Sequence, residues 1–246
     1  RLALAGVVVA SAALPAHADM LGIYVGAQGW QNQVEGGFSQ DASLIDFNFE
    51  DQTNANLYIK VEHPVPLIPN ARLRMGELEG MGKTNLSSTF NFEGKDFAAN
   101  TTVDTAINLT NNDVTLYWEL LDNDIIAFDF GLTAKNLDGE LIVDDGEGKL
   151  AQEDISVWLP MGYAAVKLRI PFVGVYVYGD ANYVSYDGSN VHDYEVGFGY
   201  DIIDNIAVDV ALTAGYREVA IELDDVDDIN ADVKFSGFFA GVEVHF

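Results

Sequence analysis

The residues best suited to chemistry fall in one short stretch. His192 adjoins Asp193, with Asp187, Ser185 and Ser189 close by. A histidine beside a carboxylate can serve as a general base, and a serine within reach would complete a nucleophilic set. Adjacency in sequence fixes none of that geometry, and a His with an Asp neighbour in a polar loop is usually only that. The other histidines offer less. His63 sits beside a proline-rich turn, His245 lies in the last extended segment, and His17 belongs to the N-terminal apolar stretch. The chain has no cysteine, so thiolate catalysis, disulfides and thiolate zinc sites are excluded. No catalytic residue and no cofactor is assigned, and a non-enzymatic chain is expected.

Cation binding is the second chemistry to weigh. Residues 138–154 hold Asp138, Glu140, Asp144, Asp145, Glu147, Glu153 and Asp154, and residues 222–232 hold Glu222, Asp224, Asp225, Asp227, Asp228 and Asp232. Such carboxylates suit hard divalent cations, Ca²⁺ above all, which are the partner to test at these acidic loops. Neither run has the spacing of an EF-hand, because Asp225-x-Asp227-Asp228-x-Asn230 lacks the central glycine and the distal glutamate. A solvated, mutually repulsive rim accounts for the same residues, and no metal ligand is assigned. The formal net charge of −27 leaves no basic surface for phosphates, so nucleic acid is not a partner.

The elements that would position these residues are extended. In a strand, successive side chains point to opposite faces. Ile206, Val208, Val210, Leu212, Ala214 and Tyr216 alternate with small or charged neighbours that include Asp209 and Arg217. The same period recurs in Leu21–Gln28, Leu57–Glu62, Val114–Leu120, Phe128–Thr133, Tyr163–Ile170, Val173–Tyr178, Tyr194–Tyr200 and Phe238–Phe246. Residues 71–92 need a bulge near Gly76 to hold their register, and residues 101–121 read as one long strand, with a small hairpin at Asn111-Asn112-Asp113 as the alternative. Connections alternate between short turns and long polar stretches at 31–55, 92–101, 136–152, 186–191 and 223–231. Short turns on one side and long loops on the other, with about ten strands, predict an all-β, transmembrane, antiparallel up-and-down barrel over residues 19–246. Trp30, Trp118, Trp158, Tyr183, Tyr194, Tyr200 and Phe246 sit near strand ends, as interfacial girdles do. Residues 1–18 run from Arg1 through an apolar stretch to Ala16-His17-Ala18, the layout of a secretory signal peptide.

The last segment carries a resemblance. Ala240-Gly241-Val242-Glu243-Val244-His245-Phe246 resembles the C-terminal strand signal of bacterial outer-membrane proteins, with Gly241, Val244 and Phe246 matching and Ala240 departing where a polar residue is usual. That resemblance implies recognition by the barrel-assembly machinery, outer-membrane lipids as the surrounding partner, and a place in the bacterial outer membrane. Proteases of the omptin family share the ten-strand count and use an Asp/His pair at the outer rim. His192-Asp193 is loosely similar, but no omptin motif can be carried over.

The alternation also sorts the charges. Lys60, Arg72, Arg74, Lys167, Arg169 and Arg217 fall on the inward parity, as do Glu62, Glu119, Asp129, Glu195, Asp209 and Glu243. An unpaired buried charge costs several kcal/mol, so these residues are expected to form a paired lumen network. Tyr24, Tyr58, Tyr117, Tyr163, Tyr176 and Tyr178 would help to fill the interior. The expected role is structural or surface-exposed. A narrow pore for small solutes and a rim-located hydrolase are the alternatives.

Overall fold

The structure is a computed structural model that describes residues 21–40, 44–205, 207–226 and 229–246. The segment read as a signal peptide lies outside the described residues, as do Asp227 and Asp228 of the second acidic run. In chain order the strands are β1 (Gly22–Ser39), β2 (Ile45–Asp46), β3 (Gln52–Glu62), β4 (Asn70–Asn85), β5 (Phe90–Phe92), β6 (Lys95–Phe97), β7 (Thr102–Asp122), β8 (Ile126–Asp144), β9 (Leu150–Ile170), β10 (Val175–Tyr186), β11 (Ser189–Asp204), β12 (Asp209–Val226) and β13 (Ile229–His245). Ten of them pair with their neighbours in chain order, and β13 pairs back onto β1 from Tyr24↔His245 to Ser39↔Asn230. The result is a closed antiparallel up-and-down barrel. β2 extends the β1 edge, and β5 and β6 form a separate small hairpin.

The lower turns are short because local chemistry makes them so. Asn123 Oδ1 accepts the N–H groups of Ile125 and Ile126 at 3.0 and 3.1 Å. Asn205 Oδ1 accepts those of Ala207 and Val208 at 3.0 and 3.2 Å. Both are Asx-type turns, which let the chain reverse in a few residues. Inside the wall, small residues make room for rings. A Cβ on Gly26 would fall 2.1 Å from Tyr58, and one on Gly199 would fall 2.1 Å from Tyr176. Each tyrosine lies across the neighbouring glycine, which is why Gly and Tyr share the inward face.

A span needs roughly 9–11 residues per strand. Here β7 and β9 each run 21 residues, so the barrel stands well beyond one membrane thickness. The side-chain pattern says where it emerges. On β8, Phe130 and Leu132 face outward and are exposed, whereas Leu137, Leu141 and Val143 face inward and are buried. The apolar parity switches face near Lys135 with no bulge between β8 and β9. β7 does the same between Val114 and Leu109, β9 between Ala164 and Leu159, and β13 between Phe238 and Phe235. Below the switch the barrel is greasy outside and polar within. Above it, the reverse holds.

The observed strands and faces correct several expectations. The stretches 31–55 and 136–152 are mostly strand, because alternation with polar residues outward serves a strand standing in water as well as a loop. The stretch 186–191 is a hairpin turning at Asp187-Gly188, both at positive φ (47° and 86°). β4 and β7 stay in register through Gly76, so no bulge is needed; Glu77 and Glu79 point outward because β4 has already left the hydrocarbon. Asn111–Asp113 belongs to the unbroken β7, in agreement with the reading of 101–121 as one long strand. Trp30 is not a girdle residue: it is fully buried in the lumen, its Nε1 donating to Gly237 O at 3.2 Å. Trp158, Tyr183 and Phe238 are exposed at the upper edge of the apolar band, and Trp118, Tyr200 and Phe246 border its lower part.

Candidate functional site

At the height of the parity switch the lumen is crossed by a layer of buried charge. Lys135 Nζ lies 2.7 Å from Asn111 Oδ1, 2.9 Å from Asp113 Oδ1 and 3.0 Å from Asp193 Oδ2. Arg217 forks onto Asp193, Nε to Oδ1 at 3.0 Å and Nη2 to Oδ2 at 2.8 Å, and its Nη1 donates to Asn56 at 2.7 Å. Just below, Glu195 accepts from Arg74, Gln28 and Tyr178, each at 2.9 Å. Arg72 reaches Asp180 at 3.3 Å. Lys135, Asp113 and Asp193 are 0% exposed, Glu195 and Arg217 1%, and Arg74 2%. A water-filled passage through this layer would wet the charges that border it; these are dry.

Of the twelve charges assigned to the lumen from sequence, two pairs form within the set: Lys60–Glu62 at 3.1 Å and Arg74–Glu195 at 2.9 Å. Arg72 and Arg217 instead take Asp180 and Asp193, Arg169 takes Asp201 at 2.9 Å, and Asp209 takes His245 at 3.2 Å. Glu243 accepts from Tyr58 at 2.6 Å, and Lys167 stands over the Tyr176 ring at 4.0 Å. No ion pair among the described residues reaches Glu119 or Asp129. The charges therefore make two groups, an upper sealed layer and a lower one near the Lys60–Glu62 pair.

Lys135, Asp113, Asp180 and Asp193 were missed by sequence reasoning, and each had a signal. Asp193 shares the parity of Glu195, and Asp180 that of Tyr176 and Tyr178. Lys135 and Asp113 lay just past segments ended too early. This placement also separates the proposed acid/base pair. Asp193 faces the lumen, while His192 faces outward, 28% exposed, with Nε2 3.2 Å from Glu218. Gly241 stands on β13 opposite Gln28 and Val244 opposite Val25, and the Phe246 N–H donates to Ile23 O at 2.9 Å. No group of three or more Asp, Glu or His among the described residues is placed to hold a metal ion.

Above the layer the lumen becomes an apolar cup of about 590 Å³, open at the outer end. Leu137, Leu141, Ile107, Leu109, Ile221 and Phe235 are among its walls. One side of the outer lumen is filled by the 86–101 connection, whose Phe90, Phe92 and Phe97 are buried and packed with Phe38 and Phe47. The mouth is acidic, carrying Glu153, Asp154, Asp187, Asp224 and Asp225. Two groups of this outer tier titrate away from their ordinary values. The N–H groups of Lys149 and Glu147 hold the Asp145 carboxyl low, and a hydrogen bond to Glu35 raises Lys234.

No protein family and no curated protein matches the chain. Among solved structures, the outer membrane protease OmpT from Escherichia coli superposes with a TM-score of 0.52 at 10% identity, covering 94% of this chain and 97% of that one. The attachment invasion locus protein Ail of Yersinia pestis gives 0.41 at 10% identity, covering 92% and 99%. At such identity the likeness speaks for the fold alone. With its greasy outer band and closed ten-strand wall, the chain is a β-barrel of the bacterial outer membrane.

Proposed function

We propose that this protein is a non-enzymatic binding protein of the outer-membrane surface, which takes an uncharged apolar small molecule into the cup. The carrying observation is the cup itself. Ligand sites are concave, mostly apolar and about 300–1,000 Å³, and this one, at about 590 Å³, lies within that range. Its walls supply burial but no unspent cation: Lys135 and Arg217 below it are already held by carboxylates. An acidic mouth over an apolar interior disfavours anionic amphiphiles and admits neutral ones. The dry charge layer argues against the pore reading, and the opposed directions of His192 and Asp193 argue against a hydrolase built on that pair.

The test is equilibrium binding of the fluorescent apolar probe N-phenyl-1-naphthylamine to the refolded protein in phosphatidylcholine vesicles. The expected result is saturable binding that Val157→Asp weakens by about tenfold or more, since a carboxylate facing an apolar ligand costs at least about 1.4 kcal/mol. Val157 borders the cup and makes none of the buried ion pairs. Binding that is absent, or indifferent to Val157→Asp, contradicts the reading.

A further inference from the structure

The wall of the cup has a break. β9 and β10 pair from Val175↔Ile170 up to Tyr183↔Gly162, and no further. Above that point β9 continues from Met161 to Leu150 paired with β8 alone. β10 meanwhile continues through Val184, Ser185 and Tyr186 paired with β11 alone. The barrel is unzipped there along one seam. Pro160 stands at its base; proline cannot donate to a ladder and within sheets is confined to edges and bulges.

The cavity passes through this seam. It is bordered by five consecutive residues of β9, Glu153 to Val157, and across the gap by Val184 and Tyr186 of β10. Consecutive residues of a strand point to opposite faces. A cavity touching all five β9 residues therefore reaches the unpaired β9 edge and the gap beside it. A second seam in the same barrel provides a contrast. β3 and β4 separate above Asn56↔Gly76, but there the free edge of β4 is covered. Phe49 bridges Gly82, the Glu50 N–H donates to Met81 O at 2.8 Å, and Asn54 Nδ2 donates to Glu77 O at 3.0 Å. Along β9, no strand takes the place of β10: Asn136 Nδ2 donates from the β8 side to Val157 O at 3.3 Å, and Lys95 reaches Leu150 O at the top.

The height of the seam gives it meaning. Its base at Met161 lies below Trp158, 63% exposed, and beside Tyr183, 54% exposed. Exposed aromatic side chains of this kind sit at the membrane–water boundary. A free backbone edge is not tolerated in hydrocarbon but is tolerated at the boundary, where water and headgroups can satisfy it. From these observations we infer that the cup exchanges its ligand sideways, through the notch between β9 and β10, with the outer leaflet. This rests on the reading of the cup as a site for an uncharged apolar molecule and adds its source: a compound dissolved among the outer-leaflet chains rather than one arriving through the axial mouth.

The chain has no cysteine, so a clamp can be placed cleanly. Continuing the β9–β10 register would set Leu159 against Tyr186. The double variant Leu159→Cys/Tyr186→Cys, bridged by a short reducible bis-methanethiosulfonate, closes the notch and leaves the axial mouth open. N-phenyl-1-naphthylamine is loaded into the phosphatidylcholine of the vesicles, and its transfer to the protein is followed by stopped flow. Both residues border the cup, so the clamped variant is compared with the same variant reduced: the clamp should slow transfer by about tenfold or more, as closing a gate does, with equal equilibrium binding in the two forms, and reduction should restore the rate. Transfer at the unclamped rate would overturn the lateral route while leaving the cup intact. Absence of binding in the unclamped protein would remove the cup reading and the notch with it. Should the double variant fail to insert, Val184→Trp, which narrows the notch base, reads the same way: slower transfer supports the route, and unchanged transfer overturns it.

Discussion

At the residue scale, the lumen charges act as a set of mutual obligations. Lys135 is the clearest case, since it holds Asp113 and Asp193 from a fully buried position. Removing it leaves Arg217 to satisfy Asp193, but Asp113 loses its cation. Breaking a buried pair by deleting one partner costs about 3–5 kcal/mol, because the survivor keeps its desolvation penalty. Lys135→Met should therefore lower unfolding stability by that order in urea titrations of the vesicle-inserted barrel. Lys135→Met/Asp113→Asn should recover most of the loss. The exposed pair Lys83–Asp104, at 3.0 Å and 63% and 57% exposed, is the control; Lys83→Ala should change stability by less than about 1 kcal/mol. Equal losses at the two sites would show that the buried layer carries no special weight. Inwardness was legible in the sequence for the charges that lay within recognised segments. Partnership was not, because a cross-lumen pair such as Arg74–Glu195 depends on barrel closure rather than on local spacing.

At the element scale, the informative feature is a change of phase. Each long strand keeps a period of two, yet its apolar residues pass from the outer face to the inner face partway up. Sequence reasoning followed the outward phase to its end and took what came next for loop. Residues 136–144 were misread in this way: Leu137, Leu141 and Val143 alternate as strictly as Phe130 and Leu132 do, but on the other parity. The phase change was present in the sequence, and its meaning followed only once the upper tier was known to stand in water. It predicts opposite sensitivities on one face of β8. Leu132 is 67% exposed within the lipid-facing band, whereas Asp138 is on the same face higher up. Leu132→Arg should cost on the order of 1 kcal/mol or more of stability, between the roughly 2–4 kcal/mol of arginine at the bilayer midplane and the roughly 0–1 near an interface. Asp138→Arg should stay within about 0.5 kcal/mol, as surface substitutions do. Similar costs at both positions, measured by unfolding in vesicles, would mean that the band has been set at the wrong height.

At the scale of the whole molecule, the net charge of −27 and the high apolar content are reconciled by the two tiers. Carboxylates cover the outside of the upper tier and apolar side chains cover the outside of the lower one. The closed barrel was readable from repeated alternation and from the order of short and long connections, both of which are local. The cup and its notch were not, because each depends on which strands stop pairing and at what height. Pro160 was the one local mark of the seam.

The central claim is that the lumen is dry at the Lys135 layer and open above it, and thiol labelling tests this most directly. Leu141→Cys, Leu137→Cys and Thr133→Cys place single thiols on the inward face of β8 above, at the foot of, and below the open cup. A small membrane-impermeant maleimide is added only to the outside of vesicles holding outward-oriented protein. The account predicts rapid labelling of Leu141→Cys and Leu137→Cys and none of Thr133→Cys until the protein is unfolded. Thr133→Cys reacting as fast as Leu137→Cys would contradict it, because solvent would then be passing through the layer.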